Sequence, residues 1–546
     1  MRPGPLWRWG RHLRPAQLAH RLWYRLRRPL FASSWWERRV LSAGPVSAAL
    51  ALVPSPPPWP GDAAQAALIA AGRIRLLGVE HPVGDWRAEG QSHLWRFTLH
   101  YFEWLDHLAA AGDAATARRL VEDWMTGHGV PDPLAWHPYP LSLRLFAWLS
   151  HAGFLLDGAE AGFAGRFLAA LDRQAAHLAR VPEDDVGGNH LIKNLKALVA
   201  ACLCLPGRSA GLEHWLARLR AEIAVQVLDD GCHYELSPAY HVQVLCDLVD
   251  IARLLVQSGR RLDWLDRAIA RMAGAFRFFR HGDGRLALFN DGAEGDAGTL
   301  AVLQTLLPPG PVPPVLPQAG YARLAAGPAL VLLDGGRCCP DSLPAHAHAD
   351  CLSFEMSLDG ERVVVNSGTY AYQDSRWRPW FRGTAAHSTV QVGEEDSAEL
   401  FGVFRLGRRP RRVSLEVDGL EARASHDGYA HRGIVHRRVW RLDEDGLAGE
   451  DVLDGPAAVA VARFHLDPGV EARAEGDGVA LRTAAGRVLR FSAGRAAISV
   501  VEGVYAPAFG VMQSTRTLVA PLAGNRLDWR LDWRGGSAGV GPSLRL

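Results

Sequence analysis

A proline-rich seam at Pro308–Pro317 (PPGPVPPVLP) separates two hydrophobic periods in this 546-residue chain. Each period demands its own architecture. Upstream, Leu212, Trp215, Leu216, Leu219, Ile223 and Val227 recur at three- and four-residue spacing, which lines one face of a helix. Similar stretches lie around 63–77, 93–111, 140–156, 161–180, 190–205, 238–257 and 262–280. Short Gly/Pro breaks separate them, so an array of antiparallel helices is expected, as in a toroid or solenoid. Downstream the period is two. Val413, Leu415 and Val417 alternate with polar residues, Asp418-Gly419 turns the chain, and Leu420, Ala422 and Ala424 alternate again. Asp359-Gly360 and Asp445-Gly446 are further hairpin signals. The predicted class is therefore α+β multidomain: an array of helices followed by an antiparallel β-sandwich. A second seam, Val53–Gly61 (VPSPPPWPG), sets off the amino-terminal piece. The predicted divisions are 1–61, 62–307, 308–320 and 321–546.

Charge narrows the possible partners. Sixty basic residues stand against 58 acidic ones, which argues against nucleic acid and leaves room for a local basic groove. Only Lys193 and Lys196 are lysines. Their helix reads equally as a solvated face or as part of a site. Seven cysteines without a C-x-x-C pair suggest neither a disulfide framework nor a zinc ribbon. No apolar run is long enough to predict a transmembrane segment. Charges run through the first 39 residues, so no ordinary secretory signal is recognisable. A cytoplasmic address is the default and a periplasmic one the alternative. Residues 16–28 place Leu18, Leu22 and Leu26 on one helical face among arginines. The first expectation is a surface helix packed on its own protein, and the alternative is membrane contact.

Four segments hold candidate chemistry. His346-Ala-His348-Ala-Asp350 leads into LSFEMSLDG. As one strand, it would send His346, His348 and Asp350 inward on the apolar face, where a metal or acid–base site is the natural partner. Gly187-Gly188-Asn189-His190 opens a helix, and Asn189 would also serve as its N-cap. Asp230 to His241 (DGCHYELSPAYH) pairs Ser237 as cap with Pro238 as first helical residue. Tyr240 and His241 then fall in the first turn, with Glu235 just before it. The fourth segment runs from Asn366 through Tyr370 and Tyr372 to Arg376, Arg378, Arg382 and His387. Its arginines and tyrosines suit an acidic sugar chain.

In this order, these segments resemble the heparinase II/III family of polysaccharide lyases. The upstream pieces DWRAEGQSHLWRFTLHYFEWLD and WHPYPLSLRLFAW are similar to helical domains encoded near bacterial exopolysaccharide genes. The resemblance implies an incomplete (α/α) toroid followed by an antiparallel β-sandwich, and cleavage of a uronate-containing polysaccharide by β-elimination in a cleft between the two domains. It puts Asn189, assisted by His190 or Arg382, at the position that neutralises the uronate carboxylate. Tyr240 and His346 take the catalytic positions, with acid and base roles left open. Glu235, His241, Tyr372 and Arg382 are assigned to substrate. His348, Asn366 and His387 fall at the metal positions, implying one structural zinc and no organic cofactor. Asn366 departs from the family's usual aspartate, and a neutral amide is a poor zinc ligand; Asp350 is the alternative. Three rival classes remain: a glycoside hydrolase using Glu235 and an aspartate, a non-catalytic polysaccharide-binding or assembly protein, and a cupin-type metalloenzyme.

Overall fold

The segments with helical period form helices in the computed structural model, which describes residues 4–41 and 49–533. Leu212–Gln226 buries Leu212, Leu216, Leu219 and Ile223. Pro238–Gln257 begins where the Ser237 hydroxyl accepts the Tyr240 amide, one of the orphan donors at a helix start. Pro138–Ser150, Ala161–Leu178, Gly188–Cys204 and Asp263–Phe278 complete the central array.

Three predicted helices are interrupted, the one at 140–156 only at His151, between Pro138–Ser150 and Ala152–Leu156. The one at 63–77 stops at Ala70, and Arg73–Leu76 pairs with Val79–Pro82 as a hairpin. At the hairpin tip, a Cβ on Gly78 would meet the Gly510 carbonyl oxygen at 2.5 Å. The backbones of the two halves meet there. The one at 93–111 splits into His93–Leu99 and Leu105–Ala110, because Phe102 takes a left-handed backbone with φ 60°.

Beyond the seam lie two antiparallel sheets. One has eight strands, from Val413–Asp418 at one edge to Glu471–Glu475 at the other. The other has nine, from Ser499–Ala508 to Val315–Leu316, which itself belongs to the proline-rich seam. The sheets enclose Phe354, Trp440, Phe464 and Trp529. Asp359-Gly360 is the expected two-residue turn, with Leu358 facing Glu361 and both turn residues at positive φ. One helical core continues into Leu316, Tyr321, Leu330 and Leu332 of the sandwich. The two halves therefore share apolar packing.

Two further expectations are corrected. Residues 346–353 are not strand; regular pairing starts at Phe354. Leu352 is left-handed. The His348 amide donates to the Asn290 side chain at 2.8 Å and the Ala349 amide to the Arg382 carbonyl, and only at Leu352 and Ser353 does the segment's backbone meet a strand end, Asp334. The predicted amino-terminal helix exists as Pro15–Arg27, but Leu18, Leu22 and Leu26 face outward.

Candidate active site

The site is assembled by a loop that sequence reasoning passed over. After helix Asp263–Phe278, residues 286–292 insert between the halves. Asn290 is left-handed, and its amide group donates to the Leu236 carbonyl at 2.9 Å. Its backbone N–H donates to Asp350 at 2.9 Å. The Ser237 hydroxyl donates to the Asp291 carbonyl, and the Asp291 amide to the His346 carbonyl. A helical-domain cap, the connecting loop and the sandwich loop are thus tied at one residue.

Asp291 is the hub. Its carboxylate lies 2.9 Å from His346 Nδ1 and 2.8 Å from His348 Nε2. Arg378 grips it with both guanidinium nitrogens, the bidentate geometry lysine lacks. All contacts are buried. Burial would raise the Asp291 pKa, but Arg378 and the two histidines outweigh it and hold the carboxyl well below its ordinary range. Asp291 reads in sequence as a turn residue in Asn-Asp-Gly. Arg378 was one unremarked member of an arginine cluster.

Tyr240 stands in the first turn of Pro238–Gln257, with its ring 3.8 Å from that of His346. Its hydroxyl meets the Tyr372 hydroxyl at 2.5 Å, and Tyr372 lies 3.5 Å from His346 Nδ1. Burial, then the charge of Asp291, push the Tyr240 pKa up, so the resting phenol is neutral. His346 Nε2 faces Glu235 at 3.5 Å, placing the imidazole between two carboxylates. Arg378 also lies over the Tyr372 ring at 4.7 Å.

Gly187 and Gly188 let the helix start press against Glu235. Both have positive φ, and a Cβ on Gly188 would meet Glu235 Oε1 at 2.3 Å. Asn189 directs its Nδ2 to both Glu235 oxygens at 3.1 Å, with its backbone N–H on the same carboxylate. Its Oδ1 has no partner. In this conformation the amide donors face Glu235, away from the cavity. His190 instead lines the cavity, stacked on Tyr139 and 3.0 Å from Glu183. Burial lowers its pKa, but the charge and hydrogen bond of Glu183 outweigh this and the net shift is upward.

The cavity, about 750 Å³, opens beside Tyr240, His346 and Tyr372. Phe97, Tyr101 and Tyr139 from the helical half and Phe404 and Phe509 from the sandwich line it, a pattern typical of small-ligand sites. Its cations are largely engaged. Lys193 pairs with Asp247 and Arg21 with Asp185, while Arg405 lies over Trp9. The two lysines are not a solvated face. Lys193 and Lys196 are buried against Asp247 and Asp250.

Two expected substrate contacts lie elsewhere. His241 is fully buried, with Nε2 3.0 Å from the Met272 carbonyl, so it locks helix to helix. Arg382 donates to the carbonyls of Ala347 and Val403 and is 1 % exposed. It fixes the His346 loop without reaching the cavity.

At the predicted metal position, His348, Asp350 and His387 present ligand atoms within 4.8 Å of one another. His348 Nδ1 and His387 Nε2 are 3.2 Å apart, close to the ~3.4 Å that two nitrogens span on a tetrahedral zinc with bonds of about 2.1 Å. Burial lowers both imidazole pKa values, favouring the neutral ligand form. Asp291 on His348 Nε2 is the outer carboxylate that orients a ligating imidazole. Asp350 Oδ1 lacks a partner. These residues fit a zinc ion. Asn366 has its Oδ1 engaged by the Ser388 amide, and a neutral amide is a weaker zinc ligand than Asp350.

Comparisons with known proteins agree with this architecture. Residues 83–302 match "Heparinase II/III N-terminus" and residues 308–534 match "Heparinase II/III-like, C-terminal". The chain belongs to the heparinase II/III family. Membership makes it a polysaccharide lyase by class. Its relatives include FtsZ-localized protein C of Caulobacter vibrioides, 30% identical over 467 residues, covering 77% of this chain and 78% of that protein. Heparin-sulfate lyase of Bacteroides thetaiotaomicron is 22% identical over 424 residues, covering 65% of this chain and 59% of that protein. The crystal structure of heparinase III superposes with a TM-score of 0.71 at 17% identity, covering 95% of this chain and 91% of that one. It has the same toroid-plus-sandwich fold.

Proposed function

We propose that this heparinase II/III protein cleaves a uronate-containing polysaccharide by β-elimination in the cavity between its halves. The observation that carries the reading is the convergence of Tyr240 from the helical half with His346 and Tyr372 from the sandwich around Asp291. In this reading His346 removes the C5 proton. Asp291 and Glu235 flank its two nitrogens and stabilise the imidazolium that forms. Tyr240, a neutral phenol at rest, gives its proton to the departing O4. Tyr372 holds the Tyr240 hydroxyl in place. His190, at a helix amino terminus where anions are favoured, meets the uronate carboxylate and stabilises the charge developing on it. Asn189 holds Glu235.

Zinc at His348, Asp350 and His387 would supply a structural clamp behind His346. The proton transfers belong to Tyr240 and His346. The heparin-sulfate lyase relative directs the choice of substrate to glycosaminoglycans and similar acidic polymers. Because Lys193 and Arg21 are already paired with carboxylates, a weakly sulfated or unsulfated uronate polymer suits the cavity better than a densely sulfated one. The hydrolase reading fares worse: Glu235 and Asp291, the carboxylates nearest His346, are already engaged by hydrogen-bond donors, whereas that reading needs an opposed pair free to act.

The test is Tyr240→Phe, assayed on heparan sulfate, hyaluronan, chondroitin and alginate. The reading expects wild-type turnover on one of these and a loss of about 10²–10⁴-fold in the variant with its fold intact. Near-wild-type turnover in a folded variant contradicts the assignment.

A further inference from the structure

The amino-terminal helix Pro15–Arg27 is amphipathic in the reverse of the usual sense. A helix on a protein surface normally turns its apolar stripe to the core and its polar face to water. Here the inward residues are polar, apart from the Tyr24 ring packed against Phe31. Gln17 donates to the Asp185 carbonyl, and His20 and Arg21 face Asp184 and Asp185. The outward stripe is Leu18, Leu22 and Leu26, exposed by 51%, 60% and 64%. Leu6 and Trp7 extend the apolar surface before it, and Trp23 and Leu30 widen it.

This surface is not a consequence of poor anchoring. Trp36 is buried and donates to His177, Phe31 is buried beside it, and Arg8 pairs with Glu399 of the sandwich. The segment is seated on both halves, with Trp9, Leu13 and Arg21 along the cavity. Folding therefore leaves the leucine stripe in water, at a cost that needs another partner.

Charge identifies that partner. Residues 1–41 hold ten arginines and one acid, Glu37. Arg11, Arg14, Arg25 and Arg28 are exposed around the stripe. Leucines in a row, flanked by arginines and tryptophans, are what a helix lying in a lipid headgroup layer presents. A second copy of the same face would set arginine against arginine. No described helix is long and apolar enough to cross a membrane, so the helix would lie on the surface.

We propose that the outer face of Pro15–Arg27, with Trp7 and Leu30 at its ends, docks on an anionic lipid bilayer. Docking sets the cavity mouth beside the bilayer, because the inner side of the same segment walls it. The proposal is independent of the lyase mechanism.

The test is co-sedimentation of the full chain with vesicles of phosphatidylglycerol and phosphatidylcholine in equal parts, against phosphatidylcholine alone. The expected result is pelleting with the anionic vesicles, weakened by added salt. The variant Leu22→Glu/Leu26→Glu should bind at least about a hundredfold less tightly, from the lost transfer of two leucines, with an unchanged thermal transition. Arg14→Glu/Arg25→Glu should lose the preference for anionic vesicles. Wild-type protein that stays in the supernatant, or a Leu22→Glu/Leu26→Glu variant that binds normally, overturns the proposal. So does a dimer in vesicle-free ultracentrifugation that the leucine variant splits, since the face would then belong to a second copy.

Discussion

Replacing Asp291 by asparagine separates its role as hub from simple packing. The substitution preserves shape but exchanges one acceptor oxygen for an NH2 group. Five donors converge on that carboxylate: His346, His348, two nitrogens of Arg378 and the Thr369 hydroxyl. After substitution at least one faces another donor, and the buried Arg378 loses its counter-charge. Removing one partner of a buried pair costs about 3–5 kcal/mol; the surviving carbonyl oxygen puts the expected loss near the lower bound, about 3 kcal/mol. His346 also loses the group that fixes its tautomer. Losing an orienting carboxylate costs a catalytic imidazole roughly 10⁴-fold in kcat. A matched control exists in the sandwich. Asp451 is equally buried and accepts from His436, Arg438 and Trp529. Asp451→Asn should lower thermal stability by a similar amount and leave kcat unchanged. The assay is initial rate by unsaturated-product absorbance, with thermal unfolding in parallel. If Asp291→Asn keeps kcat within about threefold of wild type, or if Asp451→Asn loses as much activity, the hub argument is refuted.

Other perturbations probe the surrounding parts. Gly188→Ala should disrupt the site, because the new methyl meets both Glu235 and the Leu343 side chain at a positive-φ position; an increase in KM with a lower thermal transition is expected, and an unperturbed variant would contradict the close approach. The upward-shifted His190 pKa keeps the imidazolium to higher pH than an ordinary histidine. Its stabilisation is full below the ordinary value of 6.5 and lost as pH rises through the folded value. KM should therefore rise in that alkaline limb, with a flat response in His190→Gln, and equal pH profiles would remove His190 from substrate binding. Elemental analysis of protein prepared without chelator should find close to one zinc, lost in His348→Ala together with thermal stability; metal-free protein of full stability would leave His348, Asp350 and His387 as a hydrogen-bond cluster.

The sequence was legible where local pattern decides structure. The helix Pro238–Gln257 and its Ser237 cap follow from spacing alone, as does the Asp359-Gly360 turn. Tyr240 was placed correctly in a helix's first turn for the same reason. Long-range ties left no such trace. Asp291 lies in an Asn-Asp-Gly stretch whose local signal is a turn, and its role exists only because the loop enters between two domains. Alternation across 346–352 suggested a strand, yet both sides of that segment are buried and groups distant in sequence, Asn290, Asp334 and Arg382, hold it. Period-two reasoning presumes one wet face, and here there is none. Whether Lys193 and Lys196 are solvated or part of a site stayed open in the sequence because their partners, Asp247 and Asp250, lie on another helix. The leucine stripe of residues 18–26 was legible as a stripe, but its direction depended on Asp184 and Asp185 taking the polar side.

The chemistry of the product tests the central claim most directly. Elimination leaves a C4–C5 double bond on the new non-reducing end, and the fragments sum to the mass of the parent chain. Hydrolysis adds one water per cut and leaves no such bond. Incubating purified protein with unsulfated uronate polymers and reading ultraviolet absorbance alongside product mass distinguishes the two. The account predicts absorbing, unhydrated fragments from the wild-type protein and none above background from Tyr240→Phe. Saturated fragments carrying an added water, or polymer of unchanged length across the whole acidic panel, would contradict it.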